Sequence, residues 1–195
     1  MRARPASPVT GGNYMKLIIL DRDGVINEDS DDYIRSVNEW IPIPGSIKAI
    51  ARLKNHGYTV AVATNQSGLA RGYFDLSTLA AMHEKFRLLL EESGQHIDAI
   101  VYCPHGPDDQ CMCRKPAPGM LHAIARRFSV DPVDIITVGD SLHDYQAARA
   151  AGMSFALVKT GKGRRTLSSG KLPRQVPVFT DLSEFVDDLI AGEIC

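Results

Sequence analysis

The sequence predicts an α/β sandwich built around a mostly parallel sheet, and three features carry that expectation. Short apolar runs of strand length alternate with longer segments whose apolar residues recur every three or four positions. The runs are apolar throughout, as buried strands are. Three of them stop at polar clusters: Asp21-Arg22-Asp23, Thr64-Asn65 and Gly139-Asp140. Parallel sheets gather ligand-binding groups at the carboxyl ends of their strands, so these clusters are expected along one edge.

In chain order, Lys16–Leu20 is the first strand, and Gly24 lets the chain turn sharply after the paired acids. Asn27–Trp40 is polar and irregular. Pro42 and Pro44 lead into a helix from Gly45-Ser46, with Ile47, Ile50 and Leu53 on one face and Gly57 as its stop. Tyr58–Ala63 is the second strand. A long helix follows Asp75, its stripe of Leu79, Met82, Phe86 and Leu89 read as core packing and Gly94 as its end. Ala99–Tyr102 is the third strand, Cys103–Arg114 a loop, and Pro118-Gly119 opens a helix through Phe128. Ile135–Val138 is the fourth strand, followed by an alanine-rich helix from about Asp144 to Gly152. Ser154–Val158 is the fifth. Residues 159–177 read as a loop whose glycines and lysines lack phosphate-loop spacing, hence a solvated basic turn. Asp181 caps a last amphipathic helix ending near Ile190.

The 195 residues are enough for one well-packed domain. Residues 1–14 read as a disordered leader, with Met15 an alternative start, and 15–195 as a single domain. Basic and acidic residues number 22 and 23, so no charge excess points to nucleic acid or an anionic membrane. No apolar run is long enough to span a bilayer and no signal peptide is visible, so the expected location is the cytoplasm. Three of the four cysteines cluster, which in a reducing compartment suits a metal better than disulfides.

Convergence at one sheet edge would assemble Asp21, Asp23, Asp140, Thr64, Asn65 and, from a loop just beyond the third strand, Lys115. That set suits phosphoryl transfer to a carboxylate. A carboxylate attacking phosphorus gives an acyl phosphate and divides one hard hydrolysis into two easier steps. The approach of two anions must be offset by a cation and a lysine. Mg²⁺ is commonly held by one or two carboxylates plus phosphate, and Asp21 and Asp140 can supply them. Asp23 is placed to protonate the leaving oxygen and later to deprotonate water. Thr64 and nearby backbone N–H groups can donate to the phosphate oxygens.

At these residues the chain resembles the haloacid dehalogenase phosphatase superfamily. Asp-Arg-Asp-Gly-Val, Thr-Asn-Gln-Ser-Gly, Arg-Lys-Pro and Gly-Asp-Ser-x-x-Asp are similar to its four motifs, in order, across residues 16–162. The resemblance implies a Rossmann-like three-layer sandwich. Asp21 would be the nucleophile, Asp23 the acid/base, and Thr64 and Lys115 phosphate-binding. Asp21, Asp23 and Asp140 would hold Mg²⁺, and Asp144 would steady the lysine. Neither Asn27–Pro44 nor the loop after Thr64 has room for a folded cap, so the site is expected to be open. Capless relatives are usually monomeric.

Cys103-Pro-His105-x5-Cys111-x-Cys113 places three thiols and an imidazole within eleven residues. Four such ligands suit a closed, structural, tetrahedral Zn²⁺ site, and the prolines, glycine and acids around them argue against core packing. The loop resembles the branch of the superfamily that contains the heptose-bisphosphate and histidinol-phosphate phosphatases. Thr64–Gly72 and Arg114–Met120 are closer to the heptose enzymes, whose place is in the synthesis of ADP-heptose for lipopolysaccharide core. A small sugar phosphate is therefore the expected substrate, contacted by Asn65, Gln66, Ser67, Arg71, Arg114 and Lys115. Ser141 departs from relatives with lysine there.

Two readings from other classes are weaker. Phosphoacceptor signalling domains lack an acid two residues beyond the acceptor. A zinc-dependent nucleic-acid adaptor would need a basic or aromatic stripe that the chain does not have.

Overall fold

Strand β1 (Leu17–Leu20) lies at the centre of the sheet, flanked on both sides by parallel strands. In this computed structural model, which describes residues 16–192, the neighbours are β2 (Thr59–Asn65) and β4 (Ile135–Gly139). The expected leader at 1–14, the alternative start at Met15 and Cys195 lie outside the described residues. With β3 (Ala99–Cys103), β5 (Ser154–Val158) and β6 (Val178–Phe179), the order is β3-β2-β1-β4-β5-β6, and every pair is parallel.

Side chains of a strand alternate between faces, and helices cover both faces here. Ile18 and Leu20 pack in one layer with α1 (Ser46–Asn55), α2 (Leu76–Glu91) and α6 (Leu182–Ala191). Leu17 and Ile19 pack in the other with α3 (Gly119–Phe128) and α4 (Leu142–Ala151). All four β1 residues are at most 1% exposed. Burying each is worth roughly 1.5–3 kcal/mol, which offsets ending the strand in acids held out of water.

Strand boundaries shift by a residue or two from those expected. Strands β2 and β3 run on to Asn65 and Cys103 because these residues pair with each other, although one carries an amide and the other a thiol. The 159–177 segment is more than a loop. It contains α5 (Gly163–Ser168), and the two-residue β6 follows directly after the segment. Helix α5 is tied to the sheet edge, where Thr166 Oγ1 donates to the Asp140 carbonyl at 2.8 Å. A Cβ on Gly163 would fall 1.8 Å from the Val158 carbonyl oxygen, so only glycine allows that approach. Residues 28–45 form no helix or strand beyond an isolated bridge of Asn27 with Pro42, and 66–75 are turns. No cap domain is present among the described residues.

Candidate active site

β1 and β4 run side by side, so the residues just past their ends meet. Asp21 N–H donates to the Val138 carbonyl at 2.9 Å, and Asp140 follows β4 by one residue. Beyond Asp21 the chain folds back, with the Arg22 carbonyl accepting from the N–H groups of Ile26 and Asn27 at 2.8 and 3.1 Å. Gly24 adopts φ 84°, and a Cβ there would lie 2.1 Å from Asp140 Oδ2. Glycine is thus required for the first loop to close over the second acid.

Lys115 arrives from beyond β3 and points its Nζ into the same space. It lies 2.9 Å from Asp21 Oδ1 and 2.5 Å from Asp144 Oδ1, and donates to the Ala63 carbonyl at 2.8 Å. Asn65 holds this segment in place. Its side chain donates to the Lys115 carbonyl and accepts from the Lys115 N–H, both at 3.0 Å. Ser141 caps α4, and its N–H and hydroxyl donate to Asp144 Oδ2 at 3.0 and 2.5 Å, which turns Oδ1 toward Lys115. The serine that departs from the family pattern therefore orients an acid.

Burial sets the electrostatics of this floor. It pushes Asp21 up to about 7 against the pull of Lys115, with repulsion from Asp144 and Asp23 adding to it. Asp140 is pushed up to about 8 by burial and by the same kind of repulsion from Asp144 and Asp21. Asp144 goes the other way: burial alone would raise it, but Lys115 and Ser141 hold it below the usual carboxylate range. Burial would lower Lys115, yet Asp144 and Asp21 keep its charge more firmly than in water. Oxygens of Asp21, Asp140 and Asp144 lie within 4.8 Å of one another. With Asp144 held by Lys115 and Ser141, Asp21 and Asp140 are the pair of hard oxygen donors that suits a small divalent cation.

Asp23 is held apart from those three acids. Its Oδ1 accepts from Arg22 Nε and Nη2 at 3.1 and 2.8 Å and from Asn27 Nδ2 at 2.9 Å. Its Oδ2 accepts from Arg22 Nη2 at 3.0 Å and Gln66 Nε2 at 2.9 Å. Burial opposes ionisation, but these donors, Arg22 foremost, hold the carboxyl below its ordinary range. The side chain expected among the magnesium ligands is thus engaged by Arg22, Asn27 and Gln66. Gln66 also donates to Thr64 Oγ1 at 2.9 Å and so ties Asp23 to the hydroxyl expected to meet phosphate.

These groups floor a cleft of about 430 Å³ whose wall includes Ser67, Arg114, Lys162 and Arg165. Arg71 is not in that wall, and its guanidinium lies 5.9 Å from the centre of the Tyr33 ring. Asn65, expected at the substrate, has its amide committed to the Lys115 backbone. Sequence reasoning missed Lys162, whose N–H donates to Asp140 Oδ2 at 2.7 Å and whose Nζ pairs with Asp29 at 2.6 Å. It also missed His83, which is buried on α2 beside Arg22 and lowered to about 4 by burial and that cation. A histidine within the apolar stripe Leu79-Met82-His83-Phe86-Leu90 was the available signal.

Cys103, His105, Cys111 and Cys113 form a second cluster. The Cys103–Cys113, Cys103–Cys111 and Cys111–Cys113 sulfurs are 3.2, 3.6 and 3.5 Å apart. His105 Nδ1 lies 3.3 Å from Cys113 Sγ and 3.6 Å from Cys103 Sγ. Ligands about 2.3 Å from a tetrahedral zinc would stand roughly 3.7 Å apart, close to these separations, whereas a disulfide needs about 2.05 Å. The cluster fits a four-coordinate thiophilic metal through Nδ1. It also adjoins the cleft, since Arg114 Nη1 donates to the His105 carbonyl at 3.3 Å.

A HAD-hydrolase-like family model matches residues 112–185. The D-glycero-beta-D-manno-heptose-1,7-bisphosphate 7-phosphatase of Pseudomonas putida is 57% identical over 90% of this chain and 100% of its own length. The enzyme of the same name from Pseudomonas aeruginosa is 59% identical over 89% of this chain and 97% of its own. Among solved structures, the D,D-heptose 1,7-bisphosphate phosphatase of Bordetella bronchiseptica, complexed with magnesium and phosphate, superposes with a TM-score of 0.89 at 55% identity. That match covers 91% of this chain and 99% of the other.

Proposed function

The chain belongs to the heptose-1,7-bisphosphate 7-phosphatases of the HAD-like hydrolases, and from that premise we propose how its own residues carry the reaction. The observation that carries the proposal is Asp21. It is a carboxylate at the floor of an open cleft, between the fixed charge of Lys115 and the second acid Asp140.

An oxygen of Asp21 attacks the phosphorus of the 7-phosphate while the bond from phosphorus to the sugar oxygen breaks, leaving an aspartyl phosphate. Asp23 gives its proton to the departing sugar oxygen. At rest Arg22 favours its carboxylate form, and the negative charge of the arriving phosphate shifts it toward the protonated form. In the second half Asp23 takes a proton from water, whose oxygen attacks phosphorus and releases Asp21 and inorganic phosphate. Lys115 and Thr64 hold the phosphate oxygens, and Gln66 keeps Thr64 and Asp23 in register. Asp21 and Asp140 would hold magnesium, which when bound would supply positive charge against the phosphate dianion.

Arg114, on the cleft wall, is the cation we assign to the substrate beyond the transferred phosphate. The product, a heptose 1-phosphate, would serve the synthesis of ADP-heptose for lipopolysaccharide core in the cytoplasm. Phosphate release with Mg²⁺ tests the reading. Heptose 1,7-bisphosphate should exceed histidinol phosphate in kcat/KM by on the order of 10²-fold or more. Equal rates, or preference for histidinol phosphate, would overturn it.

Zinc is the metal we assign to the cysteine and histidine cluster, in a supporting role that fixes Arg114 and Lys115 at the cleft. Cys111→Ser should lose bound zinc, measured by elemental analysis, and at least about tenfold in kcat/KM. Full activity in a zinc-free variant would remove zinc from the account.

A further inference from the structure

Behind Asp23 two buried polar side chains run in line toward the core. Arg22 is 1% exposed and His83 is 6% exposed. Arg22 sets the fork of Nε and Nη2 on the Asp23 carboxylate, and its remaining nitrogen, Nη1, lies 3.4 Å from His83 Nε2. A guanidinium has only donors, so His83 is the acceptor in this contact and its Nε2 carries no proton. The histidine comes from α2, 61 residues further along the chain. Leu79, Met82 and Phe86 on the same helix are at most 1% exposed and anchor it to the core, and Tyr102 stands 6.2 Å from the imidazole, centre to centre.

Arg22 is the immediate sequence neighbour of Asp23, so by itself the arginine fork could swing with the loop that carries both. A third point of attachment on a rigid helix removes that freedom. The effect at Asp23 is directional. Oδ1 accepts three bonds, from Arg22 Nε and Nη2 and from Asn27, while Oδ2 accepts two, from Arg22 Nη2 and from Gln66, whose amide also reaches Thr64. The oxygen on the Thr64 side is therefore the less heavily bonded of the two, and we assign it the proton. A histidine costs more to bury than leucine unless a partner meets it, and the partner here is Arg22.

We propose that His83, acting through Arg22, is a positioning residue that aims the Asp23 carboxylate at the oxygen leaving phosphorus. The inference rests on the acid/base role assigned to Asp23 above. A sugar alkoxide needs a proton in order to leave, whereas p-nitrophenolate leaves without one. Loosening Asp23 should therefore slow cleavage of the sugar phosphate and spare that of p-nitrophenyl phosphate. The comparison is made in kcat/KM, which covers only the steps up to formation of the aspartyl phosphate.

His83→Phe fills the site without an acceptor, and His83→Gln restores one. The phenylalanine variant should lose about tenfold on heptose 1,7-bisphosphate and less than about twofold on p-nitrophenyl phosphate, with the glutamine variant recovering most of the loss. Asp23→Asn serves as the reference and should show the same selectivity more strongly. If Asp23→Asn is selective but His83→Phe is unaffected, or slows both esters equally, the positioning role fails and the histidine is only packing. If Asp23→Asn itself slows both esters equally, the acid role of Asp23 fails first, and the inference falls with it.

Discussion

Asp21→Asn will lose turnover of the sugar bisphosphate by on the order of 10⁴-fold or more while the protein stays folded, and without divalent metal it will melt no lower than the parent. The first half follows from chemistry. An amide oxygen does not attack phosphorus to give a stable acyl phosphate, and the rest of the cleft only positions and stabilises. The second half follows from the electrostatics. Burial raises Asp21 to about 7 from an ordinary 3.8. A carboxyl with a raised folded pKa contributes stability that is present below the unfolded value and lost as pH rises through the folded one. Above about 7 the ionised Asp21 is therefore a cost, with Asp144 and Asp23 repelling it, and the neutral amide removes that cost. Phosphate release and hydroxylamine trapping of the phosphorylated protein check the first half, and thermal melting at pH 8 checks the second. A variant that still forms a hydroxylamine-sensitive phosphoenzyme would move the nucleophile elsewhere. A sharply lower melting temperature would mean that Asp21 is mainly half of a structural ion pair with Lys115.

The sheet and the residues at its edge were readable because both follow from local pattern. Leu17–Leu20 must be buried on both faces, and acids after such a strand must meet a cation or a reaction. The side-chain geometry around Asp23 was not readable in that way. In the sequence Arg22 is only the residue between two acids, and only the fold brings α2 close enough for His83 to accept from it. Asn65 and Gln66 read as substrate contacts, because side chains at a motif are naturally taken to face the ligand. Both line the cleft, and beyond that Asn65 pins the Lys115 backbone while Gln66 bridges Thr64 to Asp23. Residues 159–177 read as a solvated basic turn because their spacing matches no phosphate loop, yet the segment adjoins the site. It reaches the site through backbone: a Cβ on Gly161 would fall 2.2 Å from Asp140 Oδ2, and Lys162 N–H donates to the same oxygen. Neither contact leaves a side-chain signature.

Lys115→Ala should cost about 3–5 kcal/mol of stability at pH 8, noticeably less near pH 5, and on the order of 10³-fold in kcat/KM. Lys115 is 5% exposed and stands between Asp21 and Asp144, with Asp140 adjoining. Removing it leaves three neighbouring acids without their buried cation. In the parent, Lys115 holds Asp144 below the ordinary carboxylate range, so Asp144 contributes stability above its unfolded pKa. Without the lysine, burial and the neighbouring acids dominate, and the folded pKa of Asp144 moves above the unfolded value. Its contribution then reverses, absent at low pH and growing as a cost while pH rises through the new folded pKa. Near pH 5 the raised carboxyls hold their protons and most of the penalty disappears. Urea unfolding at the two pH values reads this directly. A penalty equal at both would mean that Lys115 stabilises through packing of its stem, and the ion-pair account of the site floor would fail. A large penalty at pH 8 that Asp21→Asn in the same background relieves would assign the repulsion to the nucleophile and its neighbours. The charge that makes Asp21 reactive toward phosphate would then be the one that Lys115 makes tolerable in the fold.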